Sequence, residues 1–194
     1  DLAGKMVAEP SIATVTDAML RARILPDGGL EPDVDVILIS GMKPADMSTS
    51  LMATKEVDAM ITWEPYAAQA EAAYGDDIKI IYDAAQEISG DSETGFYPGN
   101  VVVATGDLIA NHAETLDTFL EVHEKTTDYL NEDEGANAIL ASVLMLEEPV
   151  VEKARTRIDF HYEIDQEAAM EILQWSVDAG YLDELPAAEE FFLQ

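Results

Sequence analysis

Cysteine is absent from this 194-residue chain, and basic side chains are scarce: 10 lysines and arginines stand against 40 aspartates and glutamates, a formal net charge of -30. The first absence excludes disulfides, thiol nucleophiles and Cys-ligated metals, and leaves the redox compartment open, because exported proteins also do without bridges. The second argues against nucleic acid as a partner, since binding to phosphates needs clustered Lys and Arg. No run of 18 apolar residues occurs, so no segment reads as a membrane-spanning helix. The three histidines, His112, His123 and His161, are too scattered for a metal cluster, and the first two read as surface residues. No G-x-S-x-G, Walker A or G-x-G-x-x-G sequence is present. Asn131-Glu132-Asp133-Glu134-Gly135 is similar to a calcium loop, but its glycine falls one position early and Ser142 stands where a bidentate Glu is needed. No cofactor and no metal are expected.

What remains is enough to fold. At 48% hydrophobic residues, the chain is too apolar for intrinsic disorder despite its charge. The acidic residues are spread along the sequence rather than gathered in a tail, which reads as a wholly acidic surface adapted to concentrated salt, with a dedicated acidic binding face as the alternative.

The first half alternates strand and helix. Met6 to Ala8 is predicted as a strand, Thr16 to Leu25 as a helix stopped by Pro26-Asp27-Gly28-Gly29, and Val34 to Ile39 as a second strand. Ala45 to Lys55 reads as a helix with Met47, Leu51 and Met52 on one face. The short apolar run Val57 to Ile61 follows as a strand, Ala67 to Tyr74 as a helix, and Ile78 to Tyr82 as another strand. Strands separated by helices of this length imply right-handed crossovers and a mostly parallel sheet, an α/β lobe. Around residue 90 a polar, glycine-flanked loop, Ser89 to Gly95, reads as a hinge, with a strand expected at Asn100 to Thr105. Beyond it the chain is mainly helical: one helix carries Leu116, Phe119, Leu120, His123, Thr127 and Leu130, a second spans Ala136 to Leu146, a third opens at Pro149, and a fourth runs from Gln166 to Ala179 and ends at Gly180. The expected division is 1–98 and 99–194, the second part having too few strands for a sheet of its own.

The order of motifs resembles the nitrate, sulfonate and taurine substrate-binding proteins of ABC importers, the group that includes thiamine-precursor (NMT1-like) binders. Asp1-Leu2-Ala3-Gly4-Lys5-Met6-Val7-Ala8 resembles the family's "DLKGKKVAV" crossover, Lys43-Pro44-Ala45-Asp46-Met47 its "PPADM" helix start, and Val57-Asp58-Ala59 with Trp63-Glu64-Pro65-Tyr66 its "VDA...WEP(F/Y)". Ile158 to Asp165 and the helix to Gly180-Tyr181-Leu182 are similar to its carboxyl-terminal region. The resemblance implies a periplasmic-binding-protein-like fold of type II, with two lobes of mostly parallel sheet. On that mapping 1–98 is the second, inserted lobe, 99–194 is the later part of the first, and about the first third of a usual family member has no counterpart. The chain is then either a fragment or a naturally short protein that pairs with another copy, a homodimer. The resemblance further implies an extracytoplasmic, non-enzymatic protein that captures a small polar or anionic solute (sulfonate, nitrate, taurine or pyrimidine-like) between two lobes and delivers it to an ABC permease at the membrane. The alternative is an enzyme on the same fold in thiamine-precursor or menaquinone biosynthesis, against which the absence of cysteine argues.

The expected ligand-facing residues follow from position. Ser11, Thr14 and Thr16 lead from the first strand into a helix start, where free N–H groups and hydroxyls suit an anionic or carbonyl group, though Thr14 and Asp17 also fit an ordinary capping box. Trp63, Glu64 and Tyr66 stand at the carboxyl end of a strand, where open α/β sheets bind ligands. Trp63 reads as a cleft wall, and Glu64 as a hydrogen-bond acceptor or a helix cap. Tyr97 and Asn100, beside the hinge, complete the set. Arg21 and Arg23 lie mid-helix and are not placed to select an oxyanion.

Overall fold

Successive side chains of a strand point to opposite faces, and this decides the centre of the structure. Met6–Glu9 is strand β1. Val7 packs with Leu20, Leu25 and Val36 on one face, and Ala8 with Met47 and Val57 on the other. The computed structural model describes residues 2–87 and 98–192, which divide into two units, Asp1–Ile81 with Gln166–Gln194 and Tyr82–Asp165.

In the first unit, β1 is followed by α1 (Val15–Met19), a π-helical turn (Leu20–Ile24) and α2 (Leu25–Asp27). The helix therefore runs two residues past its predicted end. The π turn ends two residues before Pro26, which has no N–H to give the preceding turn. Next come β2 (Ile37–Ser40), α3 (Pro44–Met52), β3 (Ala59–Met60) and α4 (Tyr66–Tyr74). The strands are parallel in the order β2-β1-β3, with Met6 opposite Ile37 and Val7 opposite Ala59. Helices cover both faces, because a parallel sheet buried on two sides needs crossovers on each. The alternation expected from the sequence is thus observed, although β3 is only two residues long.

Asp58, from the Val57-Asp58-Ala59 motif, fixes register at the amino edge of this sheet. Its Oδ2 accepts from Met6 N–H at 3.0 Å and its Oδ1 from Lys5 Nζ at 3.2 Å. The Met6 N–H and then Lys5 hold this carboxylate below its ordinary range.

In the second unit, α5 is Ala84–Glu87, α6 is Gly106–Asn111, α7 is Ala113–Glu132, α8 is Ala136–Leu144 and α9 is Glu148–Arg155. Thr105 caps α6, its hydroxyl accepting from Leu108 N–H at 3.2 Å. Arg155 ties three helices together: it donates to Asn137 Oδ1 at 2.7 Å and to the Leu130 carbonyl, and its guanidinium lies over the Phe160 ring. Asp133 Oδ1 accepts from Gly135 N–H, so the calcium-loop lookalike is the turn between α7 and α8.

Two expected strands do not form. Ile78 to Tyr82 and Asn100 to Thr105 are irregular, and Ile81, Val101, Val102 and Val103 are exposed. Their β-branched content favours strand only when a neighbouring strand offers N–H and C=O groups to pair, and among the described residues none does. The hinge read at residues 89–95 lies outside the described residues. No helix of the described residues is long and apolar enough to cross a membrane.

The chain rejoins the first unit at α10 (Gln166–Asp178), which buries Ala168, Ala169, Ile172 and Trp175 and packs against α1, before the short α11 (Ala188–Phe191). Gly180, with φ +78°, ends α10 in the left-handed conformation, so that Tyr181 N–H returns to Ser176 O and Gly180 N–H to Val177 O. This paired closure satisfies the last carbonyls of the helix and turns Tyr181 back toward α1.

Candidate functional site

Because β1, β2 and β3 are parallel, their carboxyl ends share one edge of the sheet. The segments leaving that edge are 10–14, 41–43 and 61–65, and they carry Ser11, Thr14, Trp63 and Glu64, half of the residues expected from the sequence, with Thr16 and Tyr66 in the helices that follow. Ser11 is exposed, Thr14 is partly buried and Thr16 is buried. The Thr14 hydroxyl donates to Ser11 O at 2.8 Å, lies 3.0 Å from the Thr16 hydroxyl, and accepts from Asp17 N–H at 3.4 Å. It therefore caps α1, the helix-capping role expected as the alternative.

Trp63 leaves the same edge beyond β3 and is 42% exposed, whereas Trp175 on α10 is 5% exposed and belongs to the core. Glu64 Oε2 accepts from Ala68 N–H at 3.0 Å in the first turn of α4, and the Glu64–Pro65 peptide is cis. Tyr66 opens α4 and is partly buried. Beside Trp63, Thr62 Oγ1 is buried and meets no hydrogen-bond partner among the described residues. Asn100 is exposed and belongs to the second unit, and Tyr97 lies outside the described residues. Among the described residues no group of His, Asp and Glu is arranged to hold a metal ion.

At the same edge lies a charged cluster that motif reading missed. Glu9, the last residue of β1, and Asp17 in α1 are both fully buried. Asp17 Oδ1 accepts from Arg21 Nε at 2.7 Å and Oδ2 from Ala13 N–H at 2.7 Å, and the carboxylate also accepts from the Tyr181 hydroxyl. Arg21 spends its other nitrogens on Asp33 Oδ2 at 2.5 Å and Glu9 Oε1 at 3.5 Å. Glu9 Oε1 further accepts from the Ser40 hydroxyl, while Glu9 Oε2 is buried with no donor among the described residues.

Burial, then the neighbouring Asp17, pushes the Glu9 carboxyl up to about 7. Burial pushes Asp17 upward as well, but the hydrogen bonds from Glu9, Tyr181, Arg21 and Ala13 together outweigh it and hold Asp17 below the ordinary range. Burial and the bond to Asp17 push the Tyr181 hydroxyl up to about 12. Arg21 is held charged by Asp33 and Asp17 against its own burial. Arg21 is thus engaged by three carboxylates, and Arg23 pairs with Asp27 and Glu171. Two signals in the sequence pointed here: a glutamate closing the otherwise apolar Met6-Val7-Ala8 run, and Asp17 four residues before Arg21 on one helix face.

A protein-family model described as the NMT1-like family matches residues 3–145. The fold is similar to that of the periplasmic aliphatic sulphonate binding protein SsuA from Escherichia coli, with a TM-score of 0.71 and 20% identity over 100% of this chain and 60% of that one. It is also similar to a ligand-binding component of an ABC-type import system from Staphylococcus aureus, solved with zinc bound, with a TM-score of 0.73 and 16% identity over 98% of this chain and 61% of that one. The alkanesulfonate-binding protein SsuA from Xanthomonas axonopodis pv. citri, bound to MOPS, gives a TM-score of 0.58 and 17% identity over 97% and 61%. This chain therefore spans about 60% of the length of the structures it matches. No match was found among curated proteins.

Proposed function

The chain belongs to the NMT1-like family, and from that premise we propose that it is an extracytoplasmic solute-binding protein serving an ABC importer. Its solute is small and polar or anionic, of the sulfonate, nitrate, taurine or pyrimidine-like class, and is bound and released without reaction. The observation that carries this reading is the common carboxyl edge of β1, β2 and β3, where a half-exposed Trp63 stands beside segments bearing hydroxyls. Open α/β sheets bind small molecules at that edge, and an aromatic wall with a few polar groups is the usual make-up of such a site. Ser11, Thr14, Thr16, Trp63, Glu64 and Tyr66 would meet the solute from this unit. Tyr97 and Asn100 join the proposal on the strength of the family resemblance. With Arg21 and Arg23 engaged by carboxylates, selection rests on hydroxyls, backbone N–H groups and the indole.

A thermal-shift panel of ethanesulfonate, taurine, nitrate and a pyrimidine tests the reading, in buffer near 1 M salt, where the Debye length is about 3 Å. A true ligand at 100 times its Kd stabilises by roughly 2.7 kcal/mol. Stabilisation by none of the four classes would overturn it.

A further inference from the structure

We propose that the buried Glu9–Asp17 pair is the positioning element of the loop 10–14, holding that loop through a proton shared between the two carboxyls and loosening it when the proton leaves. The inference rests on the binding reading only where it concerns affinity; the behaviour of the loop stands on its own.

The geometry requires a proton. Three carboxyls, Glu9, Asp17 and Asp33, face one cation, Arg21, and two of the three are fully buried. Asp17 has donors on both oxygens, from Arg21 Nε and Ala13 N–H, and receives the Tyr181 hydroxyl as well. Glu9 has Ser40 and the far end of Arg21 on Oε1 and nothing on Oε2. An orphaned carboxylate oxygen at full burial is costly, and two anions in contact are more so. One proton removes both penalties: Glu9, as the neutral acid, donates to Asp17. Two carboxyls this close titrate as a pair, and the first ionisation of that pair lies near neutrality, where Glu9 is held at about 7.

The consequence falls on the loop. Ala13 has φ +61°, a left-handed conformation that is unfavourable for a non-glycine residue. Its N–H is held by Asp17 Oδ2 at 2.7 Å. The same carboxylate anchors Tyr181 in the segment after α10. A second negative charge beside Asp17 therefore strains the Ala13 and Tyr181 contacts together. The titratable and charged groups of the cluster are Asp17 and Arg21 from the helix, Asp33 from the turn before β2 and Tyr181 from the carboxyl-terminal segment, with the Ser40 hydroxyl reaching Glu9 from β2.

The test uses the whole 194-residue chain in concentrated salt without ligand. Amide exchange, corrected for intrinsic rate, is followed at Ala13 and Tyr181 from about pH 5.5 to about pH 8.5. Protection at both should fall at least roughly tenfold in the wild type. It should stay flat in Glu9→Gln, whose amide donates to Asp17 at every pH. An equal fall in both proteins, or none in the wild type, overturns the proposal. Should the variant not fold, the side-chain carboxyl resonance of Glu9 in the wild type decides: a midpoint near 7 supports the shared proton, and one near the ordinary carboxylate value of about 4.3 overturns it. Where ethanesulfonate or another panel member binds, its Kd should weaken over the same interval in the wild type and not in the variant. Where none binds, the binding reading fails while the exchange result still decides the role of the pair.

Discussion

Arg21 Nε donates to Asp17 Oδ1 at 2.7 Å across one turn of helix, and the same guanidinium reaches Asp33 and Glu9. This single cation neutralises charge that two buried carboxyls bring into the first unit. Arg21→Ala should therefore destabilise the fold by about 3–5 kcal/mol, the cost of leaving a buried charge without its partner. Chemical denaturation in concentrated salt measures it, and a loss under about 1 kcal/mol would mean that the carboxyls relax to water.

The two tryptophans should separate binding from stability. Trp63 is half exposed, and Trp175 is buried on α10, which packs against α1. Trp63→Ala should leave the melting temperature almost unchanged and weaken solute binding by about tenfold to a hundredfold, or roughly 1.4–2.7 kcal/mol. Trp175→Ala should cost about 3–5 kcal/mol of stability. Calorimetric titration together with melting curves distinguishes the two, and an undiminished affinity in the Trp63 variant would remove the indole from the site.

Stability should depend on pH in a definite direction. Glu9 is raised in the folded state from 4.5 to about 7, so the unfolded chain loses this proton first and stability falls as pH rises between those values. The total is at most roughly 3–4 kcal/mol, at about 1.36 kcal/mol per unit. Asp17 is shifted the other way, and its contribution is lost as pH falls below the ordinary aspartate range. Glu9→Gln should flatten the neutral part of the profile in denaturant titrations at successive pH values. A wild-type stability that instead rose from about pH 5 to about pH 7 would contradict the assignment.

Salt should stabilise the chain. A net charge of -30 repels itself across the surface at low ionic strength, and near 1 M salt the Debye length shrinks to about 3 Å. Each 1 kcal/mol gained raises Tm by roughly 2–4 °C for a chain of this size. Scanning calorimetry from dilute buffer to molar salt should show a rise of several such steps, and an unchanged Tm would refute the salt-adapted reading.

Local sequence determined the longer helices and the order of the three-stranded sheet, but not the short helices α5, α6 and α11. Met47 and Leu51 on one face of α3, Pro149 in the first turn of α9 and Gly180 beyond α10 act within a few residues of the chain, where period and capping geometry are already complete. The parallel order followed from strands alternating with helices, and Trp63 stood at a strand end in the sequence as it does at the sheet edge. Tertiary structure alone decided two things. It left Ile78 to Tyr82 and Asn100 to Thr105 without strand pairing, because a β-strand exists only where another backbone lies alongside. It also gathered Glu9, Asp17, Arg21, Asp33 and Tyr181 from distant positions into one cluster. Whether a carboxylate is a solvated surface charge or a buried acid holding a proton depends on what packs over it, and among 40 acidic residues the local signals at Glu9 and Asp17 mark candidates without bringing Asp33 and Tyr181 to them.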